Sequence, residues 1–451
     1  MRLTLIHPAI GRRAGVSYMR TWQMEPLPIA VLVGLTPPDV DIRFHDDRME
    51  AIPFDEPTDL VAIPVETYTA KRAYQIASEY RRRGVPVVMG GFHATLAPDE
   101  VARYAESVVF GEAENVWAEV IDDARHGALK PTYRAHERPP LASVRYDRRL
   151  FHGRRYLPIG LVETGRGCKF PCEFCAVQTF FERTARHRPI DAIVAELREL
   201  RHRHKLFFFV DDNFAASLKF ARELVVALAE VKVRWVTQMS INAAHDEEFL
   251  ATLARSGCQG VLIGFESLDD EVLKSMRKNF NTMRGGFEVA LRNLRRHNIR
   301  VYGTFVFGYD GDKPGSAAQA AEFSIANNFY LAAFNHLTPF PGTPLYTRLQ
   351  REGRLLHERW WLDERYRYND LPFRPEHMSP ADVRHQCIDA RRRFYSWKSM
   401  LKRAFDPVNR RENFMFRNFF LINGMHRAEV STRDQFPLGD PQWRGELLTV
   451  A

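Results

Sequence analysis

Short apolar runs alternate with amphipathic stretches over residues 1–126. Leu3 to Ile6, Asp41 to Phe44, Leu60 to Val65, Val85 to Met89 and Ser107 to Phe110 read as strands, whereas Ala70, Ala73, Ile76 and Ala77 recur at helical spacing between Ala70 and Arg83. This alternation predicts a Rossmann-like α/β domain, a parallel sheet covered on both faces with ligands beyond the C-terminal ends of its strands. Between Gly127 and Arg149 the periodicity gives way to Pro, Arg and Tyr, which predicts a linker over 127–149.

A second series occupies 150–346. Its strands are predicted to begin near Leu161, Leu206, Val233, Gly260, Val301 and Ala332. Between them, stretches such as Ile190–Arg201 place Ile190, Ile193, Val194, Leu197 and Leu200 on one helical face. Six such units predict a partial (β/α)6 barrel of the TIM type, with its chemistry at the C-terminal strand ends. After Tyr346 the rhythm stops, and 347–451 reads as a helical, basic and aromatic C-terminal cap.

At 451 residues, 45% hydrophobic and 27% charged, the chain has material for two or three folded domains. No apolar run approaches the roughly 18 residues of a membrane span, and Met1 to Arg13 lacks the apolar centre of a secretory signal, so the expected location is the cytoplasm. The net charge of +8 is concentrated, since residues 391–420 hold nine Lys or Arg against two acids. Aromatics interleave with that run. Such a segment suits nucleic acid, an anionic lipid surface or an acidic small molecule, or equally a helical cap with rings in the core and arginines in water.

Five cysteines are too few for a disulfide framework, yet three of them, Cys168, Cys172 and Cys175, fall within eight residues. They form a C-x3-C-x2-C loop directly after the first predicted strand of the second series. Three thiolates on a short loop can hold three irons of a 4Fe-4S cluster, leaving the fourth iron open to an amino and carboxylate chelate. The competing reading is a Cys3His zinc site using His187 or His152, although zinc favours two short ligand pairs. Cys258 and Cys387 stand alone and read as small core residues.

The loop, its place after a strand and the series that follows resemble the radical S-adenosylmethionine (radical SAM) superfamily. The resemblance implies a 4Fe-4S cluster on Cys168, Cys172 and Cys175 that cleaves SAM to methionine and a 5'-deoxyadenosyl radical. It implies SAM contacts from Phe174 beside the last cysteine, Asp211 and Asp212 after the second strand, Gln238 and Ser240 after the third, Glu266 and Ser267 after the fourth, and Phe305 and Gly308 on the fifth. Local capping is the alternative for Asp212, Asn213 and Ser267. An electron donor such as flavodoxin or ferredoxin is implied as partner.

The domain order resembles the branch of that superfamily with an N-terminal cobalamin-binding domain. Supporting stretches are Glu25-Pro26-Leu27-Pro28, Val88 to Thr95, Gly111-Glu112-Ala113-Glu114 and Thr338 to Tyr346. The resemblance puts Glu66, Thr67, Gly90, Gly91 and His93 near cobalamin, with a tight turn as the alternative for the glycines. Many cobalamin proteins carry Asp-x-His-x-x-Gly, but here the end of the second strand reads Asp46-Asp47-Arg48-Met49-Glu50-Ala51. Members of this branch often lack that histidine. The expected activity is cobalamin-dependent C-methylation of an unactivated carbon in a small-molecule or lipid-like substrate. The alternatives are a cobalamin-independent radical SAM cyclisation, rearrangement or group transfer, and a non-catalytic iron-sulfur sensor. Nucleic acid is not expected, because residues 1–167 lack the cysteines of a second cluster. Peripheral membrane contact through 391–420 is an expectation, and no catalytic side chain is identified.

Overall fold

The computed structural model describes residues 1–278, 280–281 and 285–450, and its frame is two six-stranded parallel sheets. The first sheet comprises β1 (Arg2–His7), β2 (Asp41–Asp46), β3 (Leu60–Pro64), β4 (Val87–Gly90), β5 (Ser107–Phe110) and β6 (Thr132–Arg134), in the order β2-β1-β3-β4-β5-β6. The order reverses between β1 and β3, so the crevice of this doubly wound sheet opens at their C-terminal ends, where Glu66 and Thr67 follow β3. One face is covered by Ile29, Ala30 and Val33 of the helix Leu27–Leu35 and by Trp117, Val120 and Ile121 of the helix Trp117–Arg125. The other is covered by the helix Ala70–Arg82 and by Trp360, Trp361, Tyr366 and Leu438 from the C-terminal region.

Part of the stretch expected as a linker is therefore sheet. β6 pairs with β5 at Val108↔Thr132, Val109↔Tyr133 and Phe110↔Arg134. Only Tyr133 of its three residues is buried, held by a 2.7 Å hydrogen bond from its hydroxyl to Asp123, so no hydrophobic period marks it in the sequence.

The second sheet takes in β7 (Gly160–Val162), β10 (Phe207–Phe209), β11 (Trp235–Gln238), β12 (Cys258–Glu266), β13 (Arg300–Phe307) and β14 (Leu331–His336), while β8 (Gly165–Arg166) and β9 (Arg186–His187) form a small antiparallel pair beside it. The order β14-β13-β12-β11-β10-β7 is the predicted six-unit open barrel. Its two faces separate cleanly along β13. Val301, Phe305 and Phe307 lie in the core with Phe323 of the helix Ser316–Ala326, whereas Tyr302, Thr304 and Val306 are half-buried on the opposite, lumen side.

The cap seals the open edge of this barrel. The helix Pro380–Phe394 lies along β14, where the Arg391 guanidinium donates to the Phe334 carbonyl (2.9 Å) and the Tyr395 hydroxyl to that of Ala332 (2.8 Å). Unpaired edge carbonyls are thereby satisfied. Arg403 is fully buried, donating to the carbonyls of Phe329 and Phe394 (2.9 Å each) with its guanidinium 3.7 Å from the Phe394 ring. Part of the basic run is thus interior. Among the described residues no helix is long and apolar enough to cross a membrane.

Candidate functional site

The cysteine loop hangs from the end of β10. Asp211 accepts hydrogen bonds from the backbone amides of Thr164 (2.6 Å) and Gly165 (3.1 Å) and from the Thr164 hydroxyl, and Asp212 accepts from the amide of Gly167 (2.7 Å). Burial pushes the Asp211 carboxyl up to about 7 and the Asp212 carboxyl up to about 6. Asp211, expected among the SAM contacts, instead directs its oxygens at the loop that carries the cysteines. Asn213 follows, donating from Nδ2 to Cys168 Sγ (3.7 Å) and to Ser240 Oγ (3.2 Å) while its Oδ1 accepts from the Ser240 amide (3.1 Å).

The far side of the loop is held through Glu173. Its carboxylate accepts from Arg348 Nε (2.7 Å) in the helix Pro344–Arg351 and from the Tyr309 hydroxyl just beyond β13, and its carbonyl accepts from the Leu345 amide (3.2 Å). Burial pushes the Cys172 thiol up to about 12 against the nearby Lys278 cation, and pushes Cys175 up as well.

All three thiols are free; Cys172 senses the charge of both Cys168 and Cys175, and Cys175 that of Cys168. Among the described residues no three His, Cys, Asp or Glu side chains converge as a single ion requires. His187 is stacked on Phe220 at 4.1 Å and His152 lies against Arg203, so neither completes a Cys3His site. Three thiols on one loop suit a group that distributes them over three separate irons.

The strand ends sort by the face they occupy. Gln238 is half-buried at the end of β11. Glu266 has φ +64°, a left-handed conformation uncommon for a side chain of its size, and pairs in the interior with Lys278. Gly264 makes room for that pair, since a Cβ there would lie 2.2 Å from Glu266 Oε1 and 2.6 Å from Lys278 Nζ. Ser267 is buried, and its Oγ accepts from the Asp269 amide (3.1 Å) in a local turn, which is the capping alternative. Phe305 is fully buried, 5.5 Å from Phe265 and 5.7 Å from Phe334, and so faces the helices rather than the lumen. Its lumen-facing neighbours Tyr302 and Thr304 stand at alternate positions of the same strand, the period by which the sequence marks them. Gly308 adopts φ +98° where its amide donates to Asp312 (2.9 Å), and Phe174 packs half-buried against the barrel core.

At the C-terminal end of β3, Glu66 keeps accessible surface, while desolvation by the surrounding protein pushes its carboxyl up to about 7. His93 is turned away. Its ring nitrogens meet Thr67 Oγ1 and Glu100 Oε1, each at 3.2 Å, and Trp361 packs on it edge-on, so Thr67 and His93 belong to the domain's own interior. Gly91 has φ +95°, and a Cβ there would press within 3.1 Å of the Val65 backbone, so the turn itself demands glycine. At the end of β2, Arg48 stands where the histidine motif would place its ligand, bonded to Asp46 (2.6 Å) and to the carbonyls of Trp22 and Met24.

The two domains meet at the cysteine loop. Glu112, after β5, pairs with Arg166 of β8 (2.8 Å) and Arg186 of β9, and Arg166 also reaches Glu114 (2.6 Å) and Glu163 (2.9 Å). Although burial opposes its ionisation, the bonds from Arg186 and Arg166 hold the Glu112 carboxyl below the usual glutamate range. A cavity of about 280 Å³ lies beside this junction, bounded by Thr95, Phe110, Arg134, Arg138, Phe180 and Gly342.

Comparison with known proteins decides the family. The family model of the radical SAM superfamily matches residues 162–323. The bacteriochlorophyllide d C-12(1)-methyltransferase of Chlorobaculum tepidum is 32% identical over 391 residues, covering 84% of each chain. This chain belongs to the radical SAM superfamily. Hopanoid C-2 methylase of Rhodopseudomonas palustris is 27% identical, over 74% of this radical SAM chain and 66% of that one. Among solved structures, the fold is shared with the cobalamin-dependent SAM radical enzyme OxsB (TM-score 0.64, 13% identity, 95% and 72% of the chains). It is shared too with the radical SAM methyltransferase TsrM of Kitasatospora setae (TM-score 0.61, 18% identity, 78% and 75%). A second family model, a domain of unknown function (DUF4070), matches residues 343–415, the segment that brings Arg348 to Glu173 and Arg391 to β14.

Proposed function

We propose that this chain is a cobalamin-dependent radical SAM methyltransferase acting on an unactivated carbon of a large, mostly apolar small molecule, a tetrapyrrole or polycyclic lipid. The observation that carries this reading is the ion-paired junction of Glu112 with Arg166 and Arg186, which sets the ligand edge of the N-terminal sheet against the cysteine loop. The methyltransferase names of the relatives point the same way, with bacteriochlorophyllide and hopanoid as their substrate classes.

Bound here, a reduced 4Fe-4S cluster would supply the electron that cleaves SAM, and cobalamin would supply the methyl carrier. Cys168, Cys172 and Cys175 would hold the cluster, with Asn213 donating to one of their sulfurs. Glu266 and Lys278, beside Cys172, would orient the polar groups of SAM, and Gln238 would add an amide from the next strand. Glu66 and the backbone of Gly90 and Gly91 would hold cobalamin at the sheet edge, without a histidine from the loop after β2. Tyr302 and Thr304 would line the substrate path, near an aromatic group in which the Tyr368 ring lies 5.1 Å from that of Trp22 and 5.3 Å from that of Tyr68.

The test is anaerobic purification, cluster reconstitution and exposure to hydroxocobalamin, followed by iron and cobalt analysis and reaction with SAM carrying a deuterated methyl group. About four irons with stoichiometric cobalt, and a labelled pigment or lipid formed together with S-adenosylhomocysteine, is the expected result. Full iron without cobalt, and no labelled product, would replace this reading with a cobalamin-independent radical reaction.

A further inference from the structure

We propose that the outer face of the helices Trp397–Ala404 and Asn413–Arg433 docks on an anionic lipid bilayer surface. Eight large hydrophobic side chains are exposed among the described residues, and four of them, Trp397 (58%), Leu401 (50%), Phe405 (58%) and Leu421 (60%), fall in this segment. Trp397, Leu401 and Phe405 recur every four residues and so form one ridge. The second helix lies beside them in the opposite direction, with Arg427 5.4 Å from the Trp397 ring at one end and Phe416 6.1 Å from Phe405 at the other. Phe420, 5.4 Å from Phe416, extends the apolar face.

Charge identifies the occupant. Lys398, Lys402, Arg410, Arg411 and Arg417 are exposed, and none forms an ion pair among the described residues. The two acids of the segment are already engaged, Asp406 with Arg295 (2.9 Å) and Glu412 with Arg234 (3.1 Å). Elsewhere on the cap, Arg392 and Arg393 are paired with Asp389 and Glu322. An apolar ridge bearing Trp and Phe, flanked by unneutralised Lys and Arg, matches the boundary where acyl chains meet anionic headgroups. With no membrane-spanning helix among the described residues, the chain would lie on the surface rather than cross it. Docking there is independent of the reaction proposed above.

The full chain should float with vesicles of phosphatidylcholine and phosphatidylglycerol, far less with phosphatidylcholine alone, and less as salt rises. The double variant Leu401→Glu/Phe405→Glu should stay in solution. Lys398→Gln and Lys402→Gln should each weaken partitioning by about fivefold. All four positions are exposed, so circular dichroism and iron content should match wild type. Failure of wild type to float with anionic vesicles, or undiminished flotation of the double variant, overturns the proposal. Loss of self-association or of RNA binding in the double variant, without vesicle binding by wild type, would overturn it in favour of a second copy or a nucleic acid.

Discussion

Replacing Arg166 by Met removes the cation at the centre of the domain junction. Glu112 keeps Arg186 and Arg138, and Glu163 keeps the Tyr146 hydroxyl, but Glu114 has no other cation among the described residues. Its side chain is 4% exposed and that of Arg166 is 11% exposed, so the pair is effectively interior. Stranding a buried carboxylate costs about 3–5 kcal/mol, against about 0–1 kcal/mol for a surface pair. The variant should unfold at clearly lower urea concentration and bind iron less firmly. Arg166→Met combined with Glu114→Gln should recover most of the loss, because the neutral amide no longer needs the cation. A single variant losing less than about 1 kcal/mol, or a double variant no better than the single, would refute the interior clamp.

Asp211 has its folded-state value raised to about 7, above the roughly 3.9 of an unfolded aspartate, so the folded chain binds the extra proton between those values. Its contribution is therefore full at low pH and lost as pH rises towards 7, at a slope of at most about 1.4 kcal/mol per pH unit. Asp211→Asn, which can still accept the two amide bonds, should flatten urea midpoints measured across that range, and an unchanged slope would count against the assignment. Asn213→Leu removes a hydrogen bond to Cys168 and should make the reconstituted cluster harder to reduce by tens of mV, where about 1.4 kcal/mol is ~59 mV for one electron. A redox titration followed by electron paramagnetic resonance reads that shift, and no shift would sink the role. Phe305→Ala should cost about 3–5 kcal/mol in stability while the folded fraction binds SAM as wild type does. A selective loss of SAM affinity would return Phe305 to the site.

The sheets and the cysteine loop were legible because strands of the barrel core carry long apolar runs, and because three cysteines within eight residues have few structural uses. Two kinds of feature were not legible. β6 has a single buried side chain and so lacks any period. The partners of the site residues are long-range choices: two adjacent carboxylates at the end of β10 announce polarity, but not that amides some 45 residues earlier claim them. Lys278 and Arg348 look in sequence like ordinary surface cations, and only the fold brings them to Glu266 and Glu173. Phe305 is different, because the alternation of Tyr302, Thr304 and Val306 with Phe305 and Phe307 was present in the sequence and already separates lumen from core.

Three separate parts of the chain meet on the cysteine loop. Asp211, Asp212 and Asn213 hold its start from inside the barrel, Glu112 and Glu114 hold Arg166 from the N-terminal domain, and Arg348 holds Glu173 from the segment matched by the domain of unknown function. Each anchor is polar and directional, so it fixes position rather than merely adding burial. Radical chemistry requires such fixing, because a reactive carbon-centred radical must meet its target at van der Waals distance before it meets anything else. The cap is thus tied to the cysteine loop by a directional bond, through Arg348, and not only by burial. A chain ending before Arg348 would keep every cysteine of the loop and the Tyr309 bond to Glu173, but lose the charged anchor that Arg348 adds.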